Sequence, residues 1–130
     1  MGKKILIFII LLLAIVIGIY TLRNTGSQSI QISLVSPQGD GTLSGIVPIA
    51  WSIQSEKPLT VTIRYTSDPL PVCWSCPEPR WYTIAKLEGD VGIYKWNTSG
   101  LSSGRYFLEI IAENNSDKAS IYSPPIRIKN

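Results

Sequence analysis

The sequence predicts an all-β domain, a seven-stranded antiparallel sandwich, preceded by one N-terminal transmembrane helix. Three observations predict it. An uncharged, almost wholly aliphatic run extends from Ile5 to Leu22. After Ile30 the chain changes to short runs rich in Ile, Val, Thr, Tyr and Trp, the residues that suit a pleated, half-buried surface. Clusters of Gly, Pro, Asn, Asp or Ser break these runs at short intervals, and no stretch keeps helical spacing over a useful length.

As a helix, the Ile5–Leu22 run would span about 27 Å, close to the hydrocarbon thickness of a bilayer. A cleaved secretory signal has a shorter apolar core followed by small residues at the cut. Val16 and Gly18 mimic such a site, but the apolar run continues through Ile19, Tyr20 and Leu22, which favours a retained anchor. Gly2 invites myristoylation, yet Leu6 stands where that motif needs Ser or Thr. Lys3, Lys4 and the α-amino group precede the run and only Arg23 closely follows it, so the N-terminus is expected in the cytoplasm and the domain outside. Tyr20 is then expected at the outer interface. The expected organisation is a cytoplasmic N-terminus (1–4), a transmembrane signal anchor (5–22), a linker (23–29) and a β-sandwich (30–130). So short a linker favours partners close to the membrane.

The strands follow in order. Ile30–Val35 alternates through Ile30, Ile32 and Leu34 and ends at Ser36-Pro37. Val47, Ile49, Trp51 and Ile53 alternate with polar or small residues, with Pro48 suited to an edge or strand start. Leu59, Val61, Ile63 and Tyr65 point one way while Thr60, Thr62, Arg64 and Thr66 point the other. Trp81–Leu87, Val91–Trp96, Arg105–Glu113 and Ile121–Lys129 complete the set. With no crossover helix, such a series argues for two antiparallel sheets packed face to face.

Charge and chemistry exclude several functions. Beyond Lys3, Lys4 and Arg23 the basic and acidic residues balance at nine each and are interspersed, so no clustered footprint for nucleic acid is present. The chain has no His, which removes the usual serine and cysteine catalytic arrangements, and no motif places a carboxylate pair. The expectation is a non-enzyme without cofactor or metal. Asp40, Asp90, Asn114, Asn115 and Asp117 sit in turns but lack a calcium-loop spacing.

Four stretches carry a resemblance: Val47-Pro48-Ile49-Ala50-Trp51, Gly92–Ser99, Gly104–Ile110 and Ser123–Asn130. In them the chain resembles the immunoglobulin-like or fibronectin-III-like modules of bacterial and archaeal cell-surface proteins, and the related N-terminal module of a yeast cell-wall family. The resemblance implies an immunoglobulin-like sandwich over nearly all of 30–130. It rests on framework and turn positions, so it implies no binding site.

The chain departs from that pattern between Thr66 and Arg80, where a short polar turn is usual. Here the segment contains Pro69, Pro71, Cys73, Trp74, Cys76, Pro77 and Pro79. The Cys73–Cys76 spacing admits a redox dithiol, half a zinc site or a structural disulfide. Pro77 and Pro79 oppose the helix that would activate a thiol, and no third Cys or His completes a zinc site. Outside the cytoplasm a loop-stiffening disulfide is the expected outcome. Trp74, Arg80 and Trp81 form a candidate aromatic and cationic surface for a sugar or protein. The competing reading has Trp81 starting a core-facing strand and Trp74 folded back on the sheet edge. Asn97-Thr98-Ser99 and Asn114-Asn115-Ser116 match the glycosylation acceptor rule, making Asn97 and Asn114 candidate sites.

The expected function is a membrane-anchored binding module contacting envelope glycan, surface-layer protein or another membrane protein. A structural subunit of a membrane complex or surface filament is the alternative, and an extracytoplasmic thiol oxidoreductase the third reading.

Overall fold

The computed structural model describes residues 2–23 and 29–130. Linker residues 24–28 and the side chain of Tyr20, with its expected interfacial position, lie outside the described residues. Helix α1 spans Gly2–Arg23, 22 residues, or about 33 Å. No Pro interrupts it, so it takes in Lys3 and Lys4 ahead of the expected span. Its apolar side chains cover the whole circumference and are exposed, and by length and composition it is able to cross a membrane.

The rest is β-structure. In chain order the strands are β1 (Gln31–Ser36), β2 (Thr42–Leu43), β3 (Ile46–Gln54), β4 (Thr60–Thr66), β5 (Tyr82–Glu88), β6 (Ile93–Asn97), β7 (Gly104–Glu113), β8 (Lys118–Tyr122) and β9 (Ile126–Ile128). One sheet has the order β1-β3-β6, and the other β2-β9-β7-β4-β5 with β8 also beside β7.

The described strands number nine rather than the expected seven, and one pair, β2 with β9, is parallel. Two local causes account for the difference. Thr42-Leu43 is too short to show an alternating pattern in the sequence, yet it aligns with Arg127 and Ile128. The single run expected over Ile121–Lys129 is divided by Pro124 and Pro125, which have no N–H for a ladder. Ser123 bridges that gap. Its N–H donates to the Leu108 carbonyl at 2.9 Å, while its buried hydroxyl accepts the Leu108 N–H at 2.8 Å. Gly39, at φ +84°, fits against the same break: an added Cβ would meet the Pro125 carbonyl oxygen at 3.0 Å.

The alternation expected in β3, β4 and β7 is present. Val47, Ile49 and Trp51, Val61 and Ile63, and Tyr106, Leu108, Ile110 and Ala112 join Ile126 and Ile128 in one core drawn from both sheets. Pro48 sits inside β3, the central strand of its sheet, rather than at a strand start. It is tolerated because β1 stops at Ser36, opposite Ala50, so the side where its N–H would point has no partner strand. The Tyr106 hydroxyl donates to the Ser102 carbonyl at 2.7 Å and pins the connection from β6 into β7.

The chain joins the sandwich at Ile30, whose N–H donates to Asp117 Oδ2 at 2.7 Å. That end also holds the β3–β4 and β7–β8 turns. β4 leads away from it, so the β4–β5 connection lies at the far end, about 20 Å along the sheet.

Ser123→Ala removes the acceptor of a buried N–H. The variant should lose about 1–3 kcal/mol in chemical denaturation, the cost of leaving such a group unpaired. An unchanged midpoint would show that the β8–β9 gap needs no bridge.

Candidate functional site

Residues 67–81 leave the far end of β4 and return to β5. Asp68 closes the base of the loop: its N–H donates to the Thr66 hydroxyl at 3.0 Å and its carboxylate accepts the Arg80 N–H at 2.7 Å. Thr66 is fully buried. At the tip Cys73 and Cys76 form a disulfide with Cα atoms 5.3 Å apart, and the Cys76 N–H donates to the Cys73 carbonyl at 3.3 Å. The residues that follow Cys76 form no helix. Among the described residues no three His, Cys, Asp or Glu side chains group as metal ligands.

This brace holds two apolar side chains in solvent. Trp74 is fully exposed at 108% and Val72 at 96% of their reference areas. With Pro71, Cys73, Cys76 and Glu78 they border an open concavity of ≈ 390 Å³. Burial drives folding, so an unburied indole fixed by a covalent staple and four nearby prolines, Pro69, Pro71, Pro77 and Pro79, serves no core.

Trp74, Arg80 and Trp81 are not brought together as one surface. Trp81 is half-buried and lies on the outer face of the larger sheet, so it neither faces the core nor joins Trp74, and Trp74 does not fold back on the sheet edge. Trp81 stacks on Tyr122 with centroids 6.0 Å apart at 20°. The cation over its ring is Arg64, with Cζ 4.6 Å from the centroid, rather than Arg80. Arg80 is exposed and contributes its backbone N–H to the loop base.

Trp81 covers a row that the strand register builds. Arg64 on β4 lies opposite Glu109 on β7, which lies opposite Tyr122 on β8. Arg64 and Glu109 form an ion pair, and Glu109 is only 4% exposed although it points away from the core. Partial burial first, and then the Glu109 carboxylate, raise the Tyr122 pKa, with Arg64 pulling the other way. On the core side Tyr65 stacks on Tyr82, lies tilted against Trp96 and meets Tyr106 edge-on, with ring centroids 5.3, 5.4 and 5.9 Å away. Its pKa is raised by burial, then by Tyr106 and Tyr82.

Sequence reasoning missed the Arg64–Glu109–Tyr122 row. The available signal was β7 itself, where Phe107, Glu109 and Ile111 occupy the outward positions. Two large apolar residues there mark a face that is covered rather than solvated.

The two acceptor sequences adopt the same turn. Asn97 Oδ1 accepts the Ser99 N–H at 3.1 Å and hydroxyl at 2.7 Å; Asn114 Oδ1 accepts the Ser116 N–H at 2.9 Å and hydroxyl at 3.2 Å. The side-chain amide nitrogens, where a glycan would attach, stay outside these bonds. Asn97 lies at the far end and Asn114 at the Ile30 end.

Arg64→Met leaves Glu109 buried without its cation. The expected loss in urea denaturation is roughly 3 kcal/mol, at the lower end of the range because Arg64 is partly exposed. Adding Glu109→Met should restore most of it, and a double variant no more stable than the single would show that pairing does not hold the row.

Tyr122 also makes an alkaline prediction. Its folded pKa lies above the ordinary 10.0, so the folded chain keeps its proton longer than the unfolded chain. That contribution is constant below about pH 10 and falls as pH rises through the folded value. Tyr122→Phe should reduce the alkaline loss in a Tm series from about pH 9 to 12, leaving the share of Tyr65; an unaltered slope would remove Tyr122 from the cause.

Comparison of the chain with protein-family models and with curated protein sequences found no match.

Proposed function

We propose that the chain is a single-pass membrane protein displaying an immunoglobulin-like binding module outside the cytoplasm, with loop 67–81 as its contact element for a cell-envelope or surface-layer component. The observation that carries this reading is the pair Val72 and Trp74, held fully exposed at the end of the domain opposite Ile30. Tryptophan is among the residues that dominate binding energy once buried by a partner. The disulfide and prolines reduce the ordering cost that a flexible loop would meet on binding.

The strand order supports the immunoglobulin-like reading. β1-β3-β6 corresponds to strands A, B and E, and β2-β9-β7-β4-β5 to A′, G, F, C and C′. β8 and β9 then count as one interrupted strand and β2 as a short edge addition, which leaves seven main strands. The Tyr106–Ser102 bond supports it too, because a tyrosine near the start of strand F that bonds back to the preceding backbone is the tyrosine corner of such sandwiches. Lys3 and Lys4 ahead of α1 support a cytoplasmic N-terminus. The contact element then faces away from the bilayer, and the short linker does not restrict it to partners at the membrane surface.

A structural role in a complex or filament is favoured by a different observation. β5 and β6 are sheet edges, and between them Tyr65, Ile84, Tyr94 and Leu101 line a concavity of ≈ 390 Å³ suited to an added strand. A thiol oxidoreductase is disfavoured because no helix follows the cysteines to stabilise a thiolate.

The two main readings separate by photocrosslinking in intact cells, with a photoreactive residue in place of Trp74 or, separately, of Lys95 on β6. Adducts to a surface macromolecule at position 74 alone are expected. Adducts only at position 95, or none at 74, would reject the loop as the contact element.

A further inference from the structure

We propose a second site, an oxyanion subsite at Arg105 and Arg127 that binds the carboxylate or sulfate groups of an acidic polysaccharide. The two arginines are directly opposed across the antiparallel β7–β9 pair, and both are exposed on the outer face. Facing positions in such a pair bring Cβ atoms to about 5 Å, and like charges placed there destabilise the sheet. Among the described residues neither guanidinium has a hydrogen bond or ion pair; the ion pair present is Arg64–Glu109.

The sequence does not force this arrangement by a shortage of acids, since the domain carries as many acidic as basic residues. The juxtaposition is local. Thr42 aligns with Arg127 on its other side, so the row reads Thr42, Arg127, Arg105. Together with Gly104 and Ile128 these residues line a concavity of ≈ 380 Å³. Nothing lies within 4 Å of where a Gly104 side chain would begin, which keeps the approach open. Lys129 follows two positions after Arg127 and is exposed.

Two planar forks converging on one opening, with a hydroxyl beside them, suit a bidentate oxyanion better than a diffuse charge. The concavity admits one sugar-sized anionic group rather than a long polyanion. The neutral domain around it gives no extended basic track, which favours an acidic polysaccharide over nucleic acid. The subsite shares no residue with loop 67–81, so it stands or falls separately from the contact element above.

The test uses the full chain in nanodiscs of zwitterionic lipid. Binding of a uronic-acid oligosaccharide, a sulfated oligosaccharide, a neutral oligosaccharide and a poly-glutamate peptide is followed through the arginine side-chain N–H NMR signals. Saturable shifts of two arginine signals with at least one of the two acidic sugars are expected, and none with the neutral one. Arg105→Gln and Arg127→Gln should each weaken binding at least tenfold, identify those signals and leave Tm unchanged or raised, because repulsion is relieved. Lys86→Gln, which removes an exposed cation on β5 outside both surfaces, should leave the affinity unchanged. The proposal is overturned by absence of saturable binding, by equal binding in the glutamine variants, or by poly-glutamate binding as tightly as the acidic sugars. A fall in Tm in both glutamine variants would also overturn it, because the arginines would then serve the fold.

Discussion

Glu109 lies in the most enclosed strand of the domain, and its charge requires a cation there. β7 has β4 along one edge and β8 and β9 along the other, so all its neighbours are placed by it. Its inward face carries Tyr106, Leu108, Ile110 and Ala112, and its outward face holds the nearly buried Glu109 and Ile111. A carboxylate removed from water is costly unless paired. Arg64, one strand away and in register, supplies the charge, and Trp81 covers the pair. The larger sheet is therefore covered on both faces around β7.

That cover is part of the same segment that carries the cystine tip. Trp81 at the return end of the loop is bound down by Arg64 and Tyr122, and the base is closed through Asp68. The tip between these points carries the disulfide and the prolines. One segment thus divides its aromatic residues: Trp81 fastens the loop to the sheet and Trp74 is left in solvent. A firm base lets an exposed apolar tip persist without collapsing on its own domain.

The topology sets which end of the domain the loop occupies. An odd number of strand passages separates Ile30 from the start of the loop, so the connection emerges at the opposite end from Ile30. The arginine pair on β7 and β9 belongs to that half of the sheet as well, near the start of β7. Two surfaces of different chemistry, one apolar and aromatic and one cationic, thus lie at the end of the domain opposite Ile30.

The sequence by itself determined the long apolar helix and the β-rich character of the rest, because both follow from local periodicity. It also determined the inward residues of β3, β4 and β7, since alternation along a strand decides which side chains share a face. It marked the cysteine loop as the departure from an otherwise ordinary strand pattern. Tertiary structure alone decided what depends on register between distant segments. The pairing of Arg64 with Glu109 joins residues 45 apart, and Thr42-Leu43 found a partner only through the fold. The opposition of Arg105 and Arg127, the separation of Trp74 from Trp81, and the replacement of a ladder bond by the Ser123 hydroxyl have the same origin. Periodicity assigns a residue to a face, but which strand lies beside it is set by the whole arrangement of sheets.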